Sequence, residues 1–451
     1  MAIRSINPVN GTLLKEFEPW GDAAIEQALE RAAVAAGPWA ALAVAERARY
    51  LVRAAQVLRS RKEALARLIT QEMGKLVREA RAEVEKCAWN CDYYAEHAER
   101  MLADEPVAID AGKSYVHYQP LGTVLAVMPW NFPFWQVFRF AAPALVAGNN
   151  ALLKHSSNVP QCALALEQVF AEAGFPAGVF QNLLIPGSRV HGVIEDPRVH
   201  AVTLTGSEPV GRQIAAAAGA QLKKTVLELG GSDAFVVLED AELDETAKAA
   251  VTARFQNAGQ SCIAAKRFIL VGAIADAFLE RFRQEVERLV PGDPLDENTT
   301  LGPLASHDLR DALHAQVTAS IEKGAVVVTG CTPLPGPGAY YAPSILDRVQ
   351  PAYQEELFGP VASVIRARDE RDALRIANDT CFGLGGSVWT RDVARGERFA
   401  LALECGSSFI NGIVKSDPRL PFGGIKNSGY GRELAQFGLR EFVNVKTVWM
   451  R

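Results

Sequence analysis

Cys262 lies in Gly259-Gln260-Ser261-Cys262 and is followed by Ile263-Ala264-Ala265-Lys266-Arg267. A thiol close behind a glycine, with small and polar neighbours, is open to a substrate. Its chemistry needs the thiolate, and because a free thiol titrates near ~8.5, neighbouring dipoles or cations must assist it. An isolated cysteine is more often a buried structural residue, but other stretches here supply complementary parts of one reaction. Leu227-Glu228-Leu229-Gly230-Gly231 sets a carboxylate between two leucines and before paired glycines. Desolvation there raises its pKa and makes Glu228 a candidate proton acceptor; the competing reading is a carboxylate bonded to the amides of the glycine turn. Thr205-Gly206-Ser207-Glu208-Pro209-Val210-Gly211 follows an apolar run and opens a helix, a setting that favours phosphate. It lacks the middle glycine of G-x-G-x-x-G, and Arg212-Gln213 excludes a Walker-type Lys-Ser/Thr. A plain strand-to-helix turn has the same pattern.

The elements that must position these residues read as alternating strands and helices. Asn10-Gly11 marks an N-terminal hairpin. From Asp22 to about Leu102 an Ala, Leu, Glu and Arg-rich stretch predicts helices, with Gly37-Pro38 as the clearest break. Glu105-Pro106 ends it, and runs at 107–109 and 114–118 flank Asp110-Ala111-Gly112-Lys113 as a hairpin that either pairs with another subunit or lies on the surface. Apolar runs at 123–128, 151–153 and 201–204 alternate with helical stretches, Pro133 being suited to a first helical position. The alternation resumes after Gly231 with 234–238, a helix from Glu242 and a strand at 268–271. It predicts an α/β fold of two parallel-sheet domains joined near Gly230-Gly231.

With 451 residues, 49% hydrophobic and 22% charged, the chain can bury a sizeable core in two or three domains. A net charge of −5 without a basic block argues against nucleic acid. No apolar run approaches the roughly 18 residues of a membrane span, and the start MAIRSINPVNG lacks the features of a secretion signal, so a cytoplasmic location is expected. The 7 cysteines are odd in number and scattered, against a disulfide framework. Cys87 and Cys91, one helical turn apart, have no second ligand pair and read as core-facing; no metal is expected.

Five stretches in order, Pro129-Trp130-Asn131-Phe132-Pro133, Leu227 to Gly231, Gly259 to Cys262, Glu355-Glu356-Leu357-Phe358-Gly359-Pro360 and Pro421-Phe422-Gly423-Gly424-Ile425-Lys426-Asn427-Ser428-Gly429, make the whole chain resemble the aldehyde dehydrogenase superfamily. The resemblance implies a Rossmann-like cofactor domain (1–102 and 121–230), an α/β catalytic domain (231–430) and a small β oligomerisation element (103–120 and 431–451) in a homodimer or homotetramer. It implies attack of Cys262 on an aldehyde, an oxyanion held by Asn131 and the Cys262 N–H, and Glu228 as general base for the water that hydrolyses the thioester. It further implies Lys154 and Glu356 on the two riboses, Ser207 at the pyrophosphate within Gly206 to Gly211, and Trp130 and Phe358 lining the cofactor site. Where many NAD-preferring relatives carry glutamate this chain has Ser157, which with Lys154 predicts NADP as preferred cofactor and NAD as usable; the competing reading is that Ser156-Ser157 caps the next helix.

Asn131, Trp135 and Arg139 are spaced i, i+4, i+8, with Gln136 beside them, and so share one helix face. A guanidinium two turns from the reacting centre suits the carboxylate of a short semialdehyde; the competing reading is a salt bridge to a nearby acid. Ser261, Ser416 and Phe422 complete the expected substrate site. Lys154-His155-Ser156-Ser157 and the stretch 226–233 are most similar to the bacterial succinate-semialdehyde branch, which implies succinate semialdehyde, or its five-carbon homologue, as substrate. Phe140 is a departure, standing where many relatives have lysine. A cysteine hydrolase would leave the cofactor motifs unexplained, and a non-catalytic relative would have no need for Cys262, Glu228 and Asn131 together.

Overall fold

The computed structural model describes residues 2–110, 112–350 and 355–451. The apolar runs between 123 and 204 form Thr123–Met128, Asn150–His155 and Ala201–Thr205 of a six-stranded sheet. Its order is Gly429–Tyr430, Lys224–Glu228, Ala201–Thr205, Thr123–Met128, Asn150–His155, Phe180–Asn182. All neighbours are parallel except Gly429–Tyr430. The central strands are covered on both faces, which is why they read as unbroken apolar runs rather than alternations.

A second, seven-stranded sheet runs Val326–Thr329, Ser344–Asp347, Val361–Ala367, Ala265–Val271, Asp233–Val237, Gly385–Trp389, Ser407–Ile410 and is parallel but for its first strand. The chain passes from the first sheet to the second between Glu228 and Asp233. It later returns, because Gly429 pairs with Glu228, so the stretch before 430 is not confined to the second sheet. A third sheet sets Lys113–Pro120 between Val443–Met450 and Glu105–Pro106, all antiparallel. The expected hairpin therefore pairs with the chain's own C-terminal strand; Ala111 of its turn lies outside the described residues. Ile3–Ile6 and Leu13–Phe17 form the N-terminal hairpin around Asn10-Gly11.

Two sequence expectations are corrected. Pro38 does not break the first helix but lies inside its last turn in Asp22–Ala41. The carbonyl it leaves without a partner belongs to Val34, whose residue is 71% exposed and open to water, while buried Trp39 anchors the turn by donating its indole N–H to Leu145 O at 3.0 Å. The helix after Asn131 begins at Trp135 rather than Pro133. Its first N–H groups are taken by a carboxylate distant in sequence, with Phe134 N and Trp135 N donating to Glu83 Oε1 at 2.9 and 3.0 Å. Glu83 belongs to Val77–Met101, which also buries Cys87 and Cys91 in the core.

Candidate active site

Beyond the helix Leu243–Phe255 the chain turns through Asn257, Ala258 and Gly259 with φ of 54°, 52° and 74°. Side chains rarely adopt this left-handed backbone, and at Gly259 none would fit, since a Cβ would lie 2.3 Å from Gly359 O. Arg254, fully buried, holds the turn by donating to Leu357 O at 2.9 Å, Ala265 O at 3.2 Å, Gly259 O at 3.4 Å and to Gly359 O. Lys266 Nζ then donates to Ser261 O at 2.7 Å and Cys262 O at 2.6 Å, and pairs with Glu356 Oε1 at 2.9 Å. The nucleophile loop is thus gripped through its carbonyls, and the Cys262 N–H has no acceptor among the described residues.

Asn131 meets this loop from the first sheet. Its Nδ2 donates to Gln260 O at 3.0 Å, and its Oδ1 accepts from Gln136 Nε2 at 3.0 Å, which fixes the amide with nitrogen toward the loop. One amide hydrogen remains, so Asn131 Nδ2 and the Cys262 N–H can both serve an oxyanion. Glu228, at the end of Lys224–Glu228, is buried, and Arg139 Nη2 donates to its Oε2 at 3.0 Å. Burial lifts the Glu228 pKa above the usual carboxylate range, against the opposing pull of Arg139 and of the nearby Cys262 thiol. Burial and then the Glu228 charge push the Cys262 thiol well above its usual value, with Arg139 and Lys266 opposing. Nucleophile and carboxylate line the same cavity, and Glu228 Oε1 has no hydrogen-bond partner among the described residues, so a proton acceptor stands open beside the thiol.

Cys262 and Gln136 line two cavities at once. One, of about 180 Å³, is walled by Lys86, Trp135, Arg139, Ser261, Ser416 and Phe422. The other, of about 260 Å³, is walled by Trp130, Gly206, Ser207, Glu228, Glu356 and Phe358. A reactive sulfur between two pockets suits transfer between two bound molecules.

The model of the aldehyde dehydrogenase family matches residues 1–448. The chain belongs to the aldehyde dehydrogenase family. It is 51% identical over 453 residues to the probable NADP-dependent succinate-semialdehyde dehydrogenase of Synechocystis sp., covering all of both chains. It is 50% identical to the NADP-dependent succinate-semialdehyde dehydrogenase of Mycolicibacterium paratuberculosis, covering 100% of this chain and 97% of the other. The crystal structure of succinic semialdehyde dehydrogenase from Streptococcus pyogenes, solved with NADP+, superimposes with a TM-score of 0.97 at 40% identity over the full length of both.

In this dehydrogenase the second cavity has features that fit a dinucleotide. Ser207 is the N-cap of Glu208–Ala220 with its hydroxyl not used in a cap, so side chain and helix dipole both face the cleft. Gly206 N donates to Glu228 O at 3.1 Å, and Gly211 allows close packing, since a Cβ there would lie 2.6 Å from Leu229 Cδ2. Trp130 and Phe358 meet edge to face at 5.8 Å. Lys154 is buried at the end of Asn150–His155, with its pKa lowered by desolvation. Ser157 is exposed in a separate shallow depression with His155 and Pro160. The helix Pro160–Glu172 takes Val159 as N-cap, so Ser156-Ser157 does not cap it.

Arg139 lines the smaller cavity with Cys262 and is braced by its other nitrogens: Nη2 also donates to Thr205 Oγ1 at 3.1 Å, and Nε lies 2.5 Å from Glu433 Oε2. The ion pairs of the competing reading are present, with the buried carboxylates Glu228 and Glu433, and they fix the guanidinium at the cavity wall. Glu433 approaches from the C-terminal segment, and burial raises its pKa to about 7. Asn131 also precedes the helix that carries Trp135, Gln136 and Arg139, so the four do not share a helical face. Phe140 is buried edge-on against Phe442 at 5.6 Å. Sequence reasoning missed Lys86, Glu83 and Glu433 as parts of the site, and the grip of Lys266 on the loop; their spacing along the chain carries no signal.

Proposed function

We propose that this dehydrogenase oxidises succinate semialdehyde to succinate with NADP+ through Cys262. The observation that carries the reading is the position of the Cys262 sulfur between the two cavities, with Glu228 and Asn131 beside it. The names of the relatives support the substrate and the cofactor.

Glu228 takes the Cys262 proton, and the thiolate adds to the aldehyde carbon to form a thiohemiacetal whose oxyanion is held by Asn131 Nδ2 and the Cys262 N–H. A nicotinamide held in the larger cavity would supply the hydride acceptor that converts the thiohemiacetal to a thioester on Cys262. Once Glu228 has passed that first proton to solvent, it accepts a proton from the water that attacks the thioester; the thiolate leaves, takes the proton back from Glu228, and the carboxylic acid is released. Trp130, Ser207, Glu356 and Phe358 would hold the cofactor, with Glu356 on the nearer ribose, while Lys154 and Ser157 would meet the adenosine ribose. The division into a cofactor domain (1–102 and 121–230), a catalytic domain (231–430) and an oligomerisation element (103–120 and 431–451) is part of this reading. The open edge of Val443–Met450, where Val445 and Trp449 are exposed, favours a homo-oligomer.

The test is kcat/KM for succinate semialdehyde against butanal and the five-carbon semialdehyde, with each cofactor. Succinate semialdehyde with NADP+ is expected to lead by at least about tenfold over butanal, as one charge-assisted contact would give. The homologue is the nearest competitor, because one methylene discriminates by only about 10–200-fold. Equal rates for butanal would remove the substrate assignment.

Cofactor choice has its own variant. Ser157→Glu sets a carboxylate where a 2′-phosphate would lie, so kcat/KM for NADP+ should fall at least about tenfold while that for NAD+ holds or rises. An unchanged ratio would remove Ser157 from the cofactor site.

A further inference from the structure

Two buried carboxylates surround the Arg139 guanidinium before any substrate arrives. Nη2 donates to Glu228 Oε2 at 3.0 Å and to Thr205 Oγ1 at 3.1 Å, while Nε lies 2.5 Å from Glu433 Oε2. Nη1 has no hydrogen-bond partner among the described residues. Arg139 lines the smaller cavity and sits 4.7 Å from the centre of the Phe422 ring, which lines it too. An anionic aldehyde whose carboxylate meets this guanidinium is the third negative group on one cation.

Of the two carboxylates already present, Glu433 is the one that can yield. Glu228 accepts a hydrogen bond from Arg139 through Oε2, whereas neither Glu433 side-chain oxygen accepts one among the described residues, and its contact with Nε is one of charge alone. Its backbone is fixed by two 2.7 Å hydrogen bonds exchanged with Phe422. The other groups around it offer no second cation. Glu228 and Glu441 are like charges, Glu441 pairing with Lys224 at 3.0 Å. The guanidinium of Arg432 donates to Gly424 O and Gly431 O, and the Tyr94 phenol, kept neutral by burial, donates to Ala435 O at 3.0 Å. Burial, opposed by Arg139 and aided by Glu228 and Glu441, brings the Glu433 pKa to about 7. One more negative charge on Arg139 raises it further, into the neutral acid.

We propose that Glu433 takes up a proton when the substrate carboxylate meets Arg139, and so makes the selectivity of the cavity for anionic aldehydes depend on pH. The proton comes from solvent and adds to the Glu433 carboxylate. Arg139 then balances Glu228 and the substrate, as it balanced Glu228 and Glu433 before. Glu433 is a positioning residue that acts through Arg139 without touching substrate. Below about pH 7 it is already the neutral acid and the anion binds at no further cost; above it, binding must also recruit a proton. Affinity for anionic aldehydes therefore falls as pH rises through the Glu433 pKa, and affinity for uncharged ones does not. This assignment rests on the carboxylated substrate of the preceding section.

The experiment measures competitive inhibition by 4-hydroxybutyrate, which has the chain and carboxylate of succinate semialdehyde without the aldehyde, and by uncharged butan-1-ol, with NADP+ present. Lys86 lines the same cavity with a pKa of about 8, so Lys86→Met is compared with Glu433→Gln and wild type. In wild type the inhibition constant of 4-hydroxybutyrate should rise about tenfold from about pH 6 to about pH 8, the size of one added like charge. Glu433→Gln should hold it near its low-pH value across that range, Lys86→Met should keep the rise, and butan-1-ol should stay level in all three. Calorimetry of wild type in buffers of different ionisation heat should show proton uptake with 4-hydroxybutyrate at about pH 7.5, and much less at about pH 6. Wild type that binds 4-hydroxybutyrate no better than butan-1-ol at any pH would overturn the substrate reading and this assignment together. A preference for the anion with no rise, with no proton uptake, or with a rise that Glu433→Gln keeps or Lys86→Met abolishes would overturn the role of Glu433 alone.

Discussion

Replacement of Cys262 by alanine is expected to lower aldehyde oxidation by at least about 10⁴-fold, since removing a nucleophile closes the covalent route altogether. No other cysteine lines either cavity, so no second thiol stands ready to substitute. The loop should keep its shape, because Lys266 and Arg254 grip backbone carbonyls and make no use of the sulfur. NADP+ should therefore still bind, as measured by calorimetry, while cofactor reduction disappears. Turnover within tenfold of wild type would exclude Cys262 as the nucleophile.

The second large effect is expected from Glu228→Gln. Glutamine keeps the shape and can still accept the hydrogen bond from Arg139, whose charge remains balanced by Glu433. What is lost is proton acceptance, worth about 10²–10⁴-fold for a positioned general base. If that loss falls on hydrolysis, rapid mixing should give a burst of NADPH close to one equivalent of enzyme, followed by a slow steady rate. Mass spectrometry should then find the acyl group on Cys262. Slow turnover without a burst would move the defect to the first proton transfer, from the thiol, and near-normal kcat would take Glu228 out of the reaction.

The fold was legible wherever local sequence and tertiary environment agree. Strands buried on both faces, such as Thr123–Met128 and Ala201–Thr205, show as apolar runs, and the nucleophile and general-base candidates stand next to the glycines that shape their turns. Legibility ended where a distant residue decides a local outcome. The helix start at Trp135 depends on Glu83, and the environment of Arg139 depends on Glu433, which no periodicity announces. Lys86 reads as an ordinary charge on a long helix until the fold brings Ser416, 330 residues away, against it. Pro38 misleads in the opposite sense, because its missing N–H removes one bond from the carbonyl of Val34, a residue open to water, and the helix closes within a turn.

The left-handed turn at Asn257, Ala258 and Gly259 has a kinetic meaning of its own. Its unfavourable backbone angles are offset once, when Arg254 closes on the surrounding carbonyls as the chain folds. The backbone that carries the sulfur is therefore already in place when an aldehyde arrives, and no loop ordering is left to be surrendered at each encounter. Such pre-orientation acts like a high local concentration of thiolate, a gain that well-aligned intramolecular reactions show to reach about 10⁵–10⁸ M. In this chain part of the activation entropy is settled during folding, by an arginine that never meets the substrate.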